Sequence, residues 1–161
     1  MTEDLRPLFG DRATFAVEAG PFWHAPDLRA VDLWAGGQLL TYDDNIAYLP
    51  SFRFSIRTSA DQMRRRALPP NPYPGLEPAE AFQRLHDDQT GSREECWLMQ
   101  WGPTTDGVIL YAYLDGGDNL VLLFSFWRPD HPDRDRVHTA RIPAGEFTGT
   151  LDAALGSGLL G

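Results

Sequence analysis

Residues 107–127 read GVILYAYLDGGDNLVLLFSFW, and this stretch decides the fold. Two apolar runs, Gly107–Leu114 and Asn119–Trp127, flank the turn Asp115–Asp118, whose aspartates and glycines are typical of a tight hairpin connection. The runs are almost continuously apolar, whereas a strand with one face in water alternates apolar and polar side chains. We therefore predict two central antiparallel strands covered on both faces, either by this chain alone or with a partner.

Further elements are predicted on both sides of this hairpin. Glu95–Trp101 precedes it and Val137–Ile142 follows it as strand candidates, the latter after the polar loop Arg128–Arg136. Pro143 then opens a helix, in which apolar residues recur every fourth position at Phe147, Leu151 and Leu155. The second half of the chain is therefore expected to be a strand meander closed by a helix.

The first half begins with strands as well. Phe15 and Val17 alternate with Ala16 and Glu18 in the segment Thr14–Ala19, the pattern of a half-buried strand, which Gly20-Pro21 is expected to end. Farther along, Gly36-Gly37 separates Leu28–Ala35 from Gln38–Tyr42. Because glycine adopts the positive φ angles of a primed turn, we predict a second hairpin there.

Residues 50–66 allow two interpretations. Phe52, Phe54 and Ile56 alternate as in a strand, but Phe52, Ile56, Ala60 and Met63 also follow helical spacing. The helix is favoured because it explains more of the segment and because Pro50 suits a first helical turn. A Pro-rich loop is predicted at about 69–78, and a second helix from Pro78 to Gln89.

These elements define an α+β protein. We expect one domain over residues 1–161, with a largely antiparallel sheet of about six or seven strands packed by two or three helices. A chain of this length can form one sizeable hydrophobic core.

The charge balance bears on the partner class. Asp and Glu number 23 against 14 Lys and Arg, which gives a formal net charge of −9. A phosphate backbone would be repelled, so we expect no nucleic-acid partner. Residues 1–5 are acidic and polar, and no apolar run is long enough to cross a bilayer, so a cytoplasmic location without membrane association is the expectation.

Residues with catalytic potential are few. Cys96 is the single cysteine and lies among apolar neighbours, which favours a core residue over a nucleophile. His86 adjoins Asp87 and Asp88 near a helix end, where a capping or surface role is favoured over a proton relay. Asp130, Asp133 and Asp135 share a loop without the spacing of a calcium site, and arginines lie between them. We predict no catalytic residue, metal or cofactor.

Six residues are the candidate partner-binding positions. Turns direct side chains outward, so the acidic turns that contain Asp43, Asp44, Asp115 and Asp118 are candidates. Trp97 and Trp101 are expected to share one face of a strand, as core or as a contact surface.

Two segments carry a resemblance to a known family. Residues 9–18, FGDRATFAVE, followed by the hairpin sequence WAGGQL at 34–39, resemble the opening of bacterial polymorphic-toxin immunity proteins of the Immunity protein 42 type. The resemblance implies a small binder without catalytic residues that neutralises a cognate toxin, and an acidic surface suits a basic toxin domain.

Two alternatives remain open. One is a small-molecule-binding or enzymatic α+β domain with a pocket between the sheet and the helix Pro78–Gln89, lined by Trp97, Tyr111 and His86. The other is a homodimer joined through the very apolar strands.

Overall fold

The computed structural model describes residues 6–161. Residues 1–5, on which the expectation of a cytoplasmic location partly rests, lie outside this range. The strands are β1 (Leu8–Asp11), β2 (Phe15–Phe22), β3 (Leu28–Ala35), β4 (Gln38–Leu39), β5 (Ile46–Tyr48), β6 (Val108–Leu114), β7 (Asn119–Phe126) and β8 (Val137–Pro143). The helices are α1 (Leu49–Arg64), α2 (Pro78–Asp87), α3 (Ser92–Glu95) and α4 (Ala144–Gly156), and a 3-10 turn spans Gly102–Thr105.

The strands form two antiparallel sheets, which confirms the α+β class. The first sheet has the order β1-β2-β3-β4, with β5 paired to β3, and the second has the order β6-β7-β8. The prediction of a mainly antiparallel arrangement packed by helices is therefore confirmed, with the strands divided between two sheets.

The Gly36-Gly37 hairpin is present as predicted. Both glycines have positive φ, +56° and +79°, which non-glycine residues adopt at a cost. The turn sets the pairing of Trp34 with Leu39 and of Ala35 with Gln38. Gly36 also lies against β8, because a Cβ built there would be 3.2 Å from the Ala140 Cβ. The turn therefore contacts the second sheet.

Strand β2 does not end at Gly20-Pro21, as the sequence had suggested. Its pairing with β3 continues to Phe22 and Arg29 after a shift of register between Ala19 and Phe22. An irregularity of this kind accommodates a proline, which has no N–H to donate within a ladder.

Residues 50–66 adopt the helical alternative. Helix α1 has a proline in its first turn and buries Phe52, Ile56, Ala60 and Met63, the residues that the helical spacing selects. Helices α2 and α4 also lie where they were predicted, to within two residues of their expected ends.

The predicted strand Glu95–Trp101 is wrong. A short helical turn, α3, ends at Glu95, and residues 97–101 are irregular. Side chains of α1 bind their carbonyl groups instead of a neighbouring strand: Ser59 Oγ donates to the Leu98 carbonyl at 2.6 Å and Gln62 Nε2 to the Trp97 carbonyl at 3.2 Å. These long-range hydrogen bonds leave no signature in the local sequence.

Of the two strands predicted to be central, β7 is central, whereas β6 lies at an edge of the three-stranded sheet. Both faces of β7 are covered by this chain. Leu122 and Phe124 of β7 belong to the main core, which also includes residues of the first sheet, α1 and α4. Leu123 faces the opposite way and packs with Phe82 and Leu85 of α2. No helix in residues 6–161 is long and apolar enough to cross a membrane.

Candidate functional site

The two aspartates of the β6–β7 turn have different roles, because Asp115 holds the turn itself and Asp118 binds an arginine outside it. Asp115 accepts hydrogen bonds from the backbone N–H groups of Asn119 and Gly117 and pairs with Arg141. Asp118 pairs with Arg66, through Nε to Oδ1 at 2.6 Å and Nη2 to Oδ2 at 2.8 Å. The Asn119 N–H lowers the pKa of Asp115, and the Arg66 guanidinium lowers the pKa of Asp118. Both carboxylates are accessible at the surface but already have cationic partners.

The two tryptophans of the 97–101 segment have different environments, so the expected common strand face is absent. Trp101 is buried, its Nε1–H donates to Ser59 Oγ at 2.9 Å, and its ring contacts Phe15 and Phe52 edge-on. Trp97 is exposed and lies apart from that core. Trp101 therefore serves the core, and Trp97 alone of the two is available at the surface.

Asp43 and Asp44 have different partners. Asp44 Oδ1 accepts the Ile46 N–H at 2.9 Å and shapes the entry to β5. The Asp43 carboxylate lies 2.9 Å from Arg128 Nε. This ion pair connects the turn after β4 with the loop Arg128–Arg136, so the fold brings together two of the acidic turns that are distant in sequence.

An exposed tryptophan lies at this junction. Trp127 donates its Nε1–H to the Asp106 carbonyl oxygen at 2.8 Å, and the Arg128 guanidinium lies 4.4 Å from the centre of its ring. Burial raises the pKa of the neighbouring Tyr42, and the carboxylates of Asp130 and Asp43 raise it further. Asp130 precedes His131, whose ring stacks on Phe126 at the end of β7. We call Trp127, Arg128, Asp43, Asp106 and Asp130 the Trp127 patch.

Aromatic packing beneath the Trp127 patch fixes its shape. The His131 ring stacks on Phe126 at 3.9 Å between centroids, and Tyr42 meets the same histidine edge-on at 4.2 Å. His131 Nδ1 accepts the Asp133 N–H at 2.9 Å, which folds the loop back on itself. The loop that carries Asp130 is thereby attached to the end of β7.

The sequence did not single out Trp127 or Asp106. Trp127 was assigned to the apolar strand that it ends, and no local pattern shows that β7 stops one residue earlier, at Phe126. The adjoining Arg128-Pro129 was the available signal, because a proline after a strand ends its pairing and leaves the last aromatic residue near solvent.

A small cavity of about 300 Å³ adjoins this patch, with Trp127, Asp106 and Gln100 among its lining residues. Its volume is at the lower end of the range for small-molecule sites. The sequence left open a pocket between α2 and the sheet. The buried side chains of Phe82, Leu85 and Tyr111 fill that space. The Tyr111 hydroxyl hydrogen-bonds His86 Nδ1 at 3.1 Å.

Cys96 is a core residue, as predicted. Its side chain is fully buried against Tyr111 and Leu123, and burial raises the pKa of the thiol to about 11. A thiol with that pKa is almost entirely protonated at neutral pH and is a poor nucleophile. Within residues 6–161, no group of three or more His, Cys, Asp or Glu side chains is arranged to hold a metal ion.

Comparison with known proteins adds no assignment. No protein-family model, curated protein or solved structure matches the chain. The resemblance to immunity proteins therefore remains a prediction from residues 9–18 and 34–39.

Proposed function

We propose that this protein is an immunity-like inhibitor that binds a basic bacterial toxin domain in the cytoplasm and neutralises it by stoichiometric binding. The observation that carries the proposal is the Trp127 patch, where an exposed tryptophan lies beside acidic residues from three separate segments of the chain.

The chemistry of the Trp127 patch suits a protein partner. Tryptophan is among the residues that contribute most to binding energy in protein interfaces, particularly when polar groups surround it. Asp43, Asp106 and Asp130 outnumber the single cation Arg128, so the patch attracts positive charge. The net charge of −9 would accelerate encounter with a basic domain through long-range attraction.

The patch is also held in place before binding. Stacking of His131 on Phe126 and the ion pair between Asp43 and Arg128 fix the two loops that carry Asp43 and Asp130. A preorganised surface loses less conformational entropy on association than mobile loops would. This favours the tight binding that an inhibitor requires.

The test uses toxin domains encoded by genes adjoining the gene for this protein. Each domain is co-expressed with the wild type, Trp127→Ala or Trp97→Ala, and growth is measured together with the affinity of the purified pair. The two tryptophans are a matched pair, because they are 40% and 41% exposed. We expect the wild type and Trp97→Ala to restore growth, and Trp127→Ala to weaken binding by about 2 kcal/mol or more.

Two results would contradict the proposal. One is that no neighbouring toxic domain is bound or neutralised by the wild type. The other is that Trp127→Ala binds like the wild type while Trp97→Ala does not, which would move the contact to the tryptophan that the sequence singled out. Unfolding curves of both variants show whether a loss of binding reflects a loss of fold.

A further inference from the structure

Strand β6 lies at an edge of its sheet, and its outer backbone groups are only partly paired. Within the sheet its neighbour is β7. On the side away from β7, the N–H of Ala112 donates to the Cys96 carbonyl at 2.8 Å. The N–H of Leu114 donates on the same side to the Pro69 carbonyl at 2.9 Å. The C-terminal half of this edge is therefore covered by other segments of the chain.

The N-terminal part of the same edge, at Val108 and Leu110, is open. Along an antiparallel strand, every second residue directs both its N–H and its C=O to the same side. Val108 and Leu110 therefore have the orientation of Ala112, away from β7. Among the backbone hydrogen bonds that residues 6–161 form outside helices and sheet ladders, none involves Val108 or Leu110. Two N–H donors and two carbonyl acceptors are thus available at this edge.

The cavity of about 300 Å³ beside the Trp127 patch lies against this open edge, because Val108 and Leu110 are among its lining residues. The side chains of both residues belong to the main core, so it is their backbone that lines the cavity. Met99 and Gln100 line it as well, from the irregular segment 97–101 that follows Cys96. Four lining residues are exposed, so the cavity opens to solvent: Gln100, Gly102, Asp106 and Trp127.

Asp106 gives the cavity a negative charge, because it is the acidic residue of the lining. Among the ion pairs of the part of the chain that the structure describes, none includes Asp106. Asp43, Asp115 and Asp118, in contrast, each pair with an arginine. An unpaired carboxylate on a protein with a net charge of −9 attracts a cation. The cavity therefore combines the donors and acceptors of a strand edge with a site for a positive group.

We propose that the open edge at Val108 and Leu110 binds an extended, basic peptide segment of a partner protein by strand addition. The N–H and C=O groups of these two residues recur at the two-residue spacing of a strand, and an extended chain presents the complementary groups at the same spacing. A basic side chain of the added segment pairs with the Asp106 carboxylate. A second copy of this chain is a poorer match, because its net charge is also −9.

The open edge is short, and this sets the expected strength of binding. Val108 and Leu110 are separated by about 7 Å along the strand, so the edge pairs with only two or three residues of the added segment. A free peptide should therefore bind weakly, with a dissociation constant of about 1 mM. Within the proposed function the segment belongs to the toxin domain, and this identity of the partner rests on the proposed function. Trp127 then belongs to both contacts, because it lies in the Trp127 patch and lines the cavity.

Amide hydrogen exchange of the full chain, measured by NMR with a synthetic peptide, tests the inference. The probe is a capped five-residue peptide of alternating threonine and valine with a central arginine. Its controls are the same peptide with N-methylated backbone amides and the same peptide with glutamate in place of arginine. The amides of Val108 and Leu110 should exchange about tenfold more slowly when the probe is present at about ten times its dissociation constant. Ile109 and Tyr111 are internal references, because their amides face β7 and should be protected with and without peptide.

Val108→Pro tests the backbone contact from the side of the protein. It removes one N–H of the open edge without removing a hydrogen bond of the ladder with β7. The preceding residue is Gly107, which has no Cβ to clash with the proline ring. Binding of the probe should weaken about threefold to tenfold. Val108→Ala keeps the N–H while it loses part of the same side chain, so this matched control should bind like the wild type.

Four results would overturn the inference. The first is that the probe does not bind at about 10 mM, well above its expected dissociation constant. The second is equal binding of the N-methylated peptide, which would exclude backbone pairing whether or not Val108→Pro folds. The third is equal binding of the glutamate peptide, which would exclude a basic segment. The fourth is slower exchange confined to β8, which would place the peptide at the other edge of the sheet.

This inference and the proposed function can fail separately. A toxin domain that is bound through Trp127 without slower exchange at Val108 and Leu110 would remove this inference alone. A probe that binds as expected, while no neighbouring toxin domain is bound, would remove the proposed function alone. Circular dichroism of each variant verifies that a loss of binding does not reflect a loss of fold.

Discussion

Arg12 and Glu18 form a two-pronged ion pair in which only the cation is accessible. Glu18 is 4% exposed, whereas the side chain of Arg12 is 51% exposed and its guanidinium also lies 5.1 Å from the centre of the Trp34 ring. The carboxylate therefore depends on an arginine that reaches over it from the turn between β1 and β2.

Removing this arginine should destabilise the protein. In Arg12→Ala the buried Glu18 carboxylate loses its counter-charge, which we expect to lower the free energy of unfolding by about 1–3 kcal/mol, below the range for fully buried pairs because Arg12 is half exposed. Chemical denaturation provides the measurement. Arg12→Ala combined with Glu18→Gln should recover part of the loss, since a neutral amide needs no counter-ion.

Arg57→Ala is the control for this prediction, because Arg57 is an exposed arginine within α1. Its effect should stay within about 0.5 kcal/mol. Equal effects of Arg57→Ala and Arg12→Ala would show that the ion pair contributes nothing specific.

The two glycines of the β3–β4 turn should respond differently to substitution. Asparagine tolerates positive φ better than other side chains, so Gly37→Asn, with open space around its Cβ position, should cost less than about 1 kcal/mol. At Gly36 the new side chain meets the Ala140 Cβ and the Thr139 carbonyl oxygen, both at 3.2 Å. Gly36→Asn should therefore cost about 2 kcal/mol or more through overpacking.

The denaturant midpoints of Gly36→Asn and Gly37→Asn test this difference. Because both positions have positive φ, a lower midpoint for Gly36→Asn reports the contact of residue 36 with β8. Similar midpoints would mean that the turn does not press on β8. Gly36→Val and Gly37→Val, in which a branched side chain meets positive φ, should both be strongly destabilising.

The Cys96 thiol should be inert in the folded protein. With its pKa raised to about 11 by burial, it should react with an aromatic disulfide at neutral pH only after unfolding in denaturant. Because the folded state holds the thiol proton more tightly, its contribution to stability is complete below the unfolded pKa near 9 and is lost as pH rises toward 11.

Cys96→Ala isolates this contribution. The variant should cost about 1 kcal/mol at pH 7 through lost volume and should show a smaller loss of stability between about pH 9 and pH 11. Fast labelling of the folded wild type would contradict the prediction, as would an unchanged alkaline loss in the variant.

Local sequence patterns correctly predicted the elements that depend on interactions within a few residues. The apolar spacing of α1, the two glycines at 36–37 and the aspartates of the β6–β7 turn each act within a few residues, and each predicted element is present. The strand predicted at Glu95–Trp101 failed because Ser59 and Gln62, more than 30 residues away, bind its carbonyl groups.

The candidate site shows the same division. The sequence correctly placed acidic residues at turns, but it could not show that Asp118 pairs with Arg66, 52 residues earlier, or Asp115 with Arg141, 26 residues later. Nor could it show that Asp43 meets Arg128 beside an exposed tryptophan. Those relationships come from strand pairing within the second sheet and from contacts between segments that are distant in sequence.

The buried Arg29 has a consequence for synthesis on the ribosome. It donates Nε–H to the Gly20 carbonyl at 2.8 Å, beside the irregularity in β2, and Nη1–H to the Leu159 carbonyl, 130 positions later. The β2–β3 hairpin can form early in translation, but the hydrogen bonds of its arginine remain incomplete until residue 159 has left the exit tunnel. We therefore expect the nascent chain to become protease-resistant late, in a single step, rather than segment by segment.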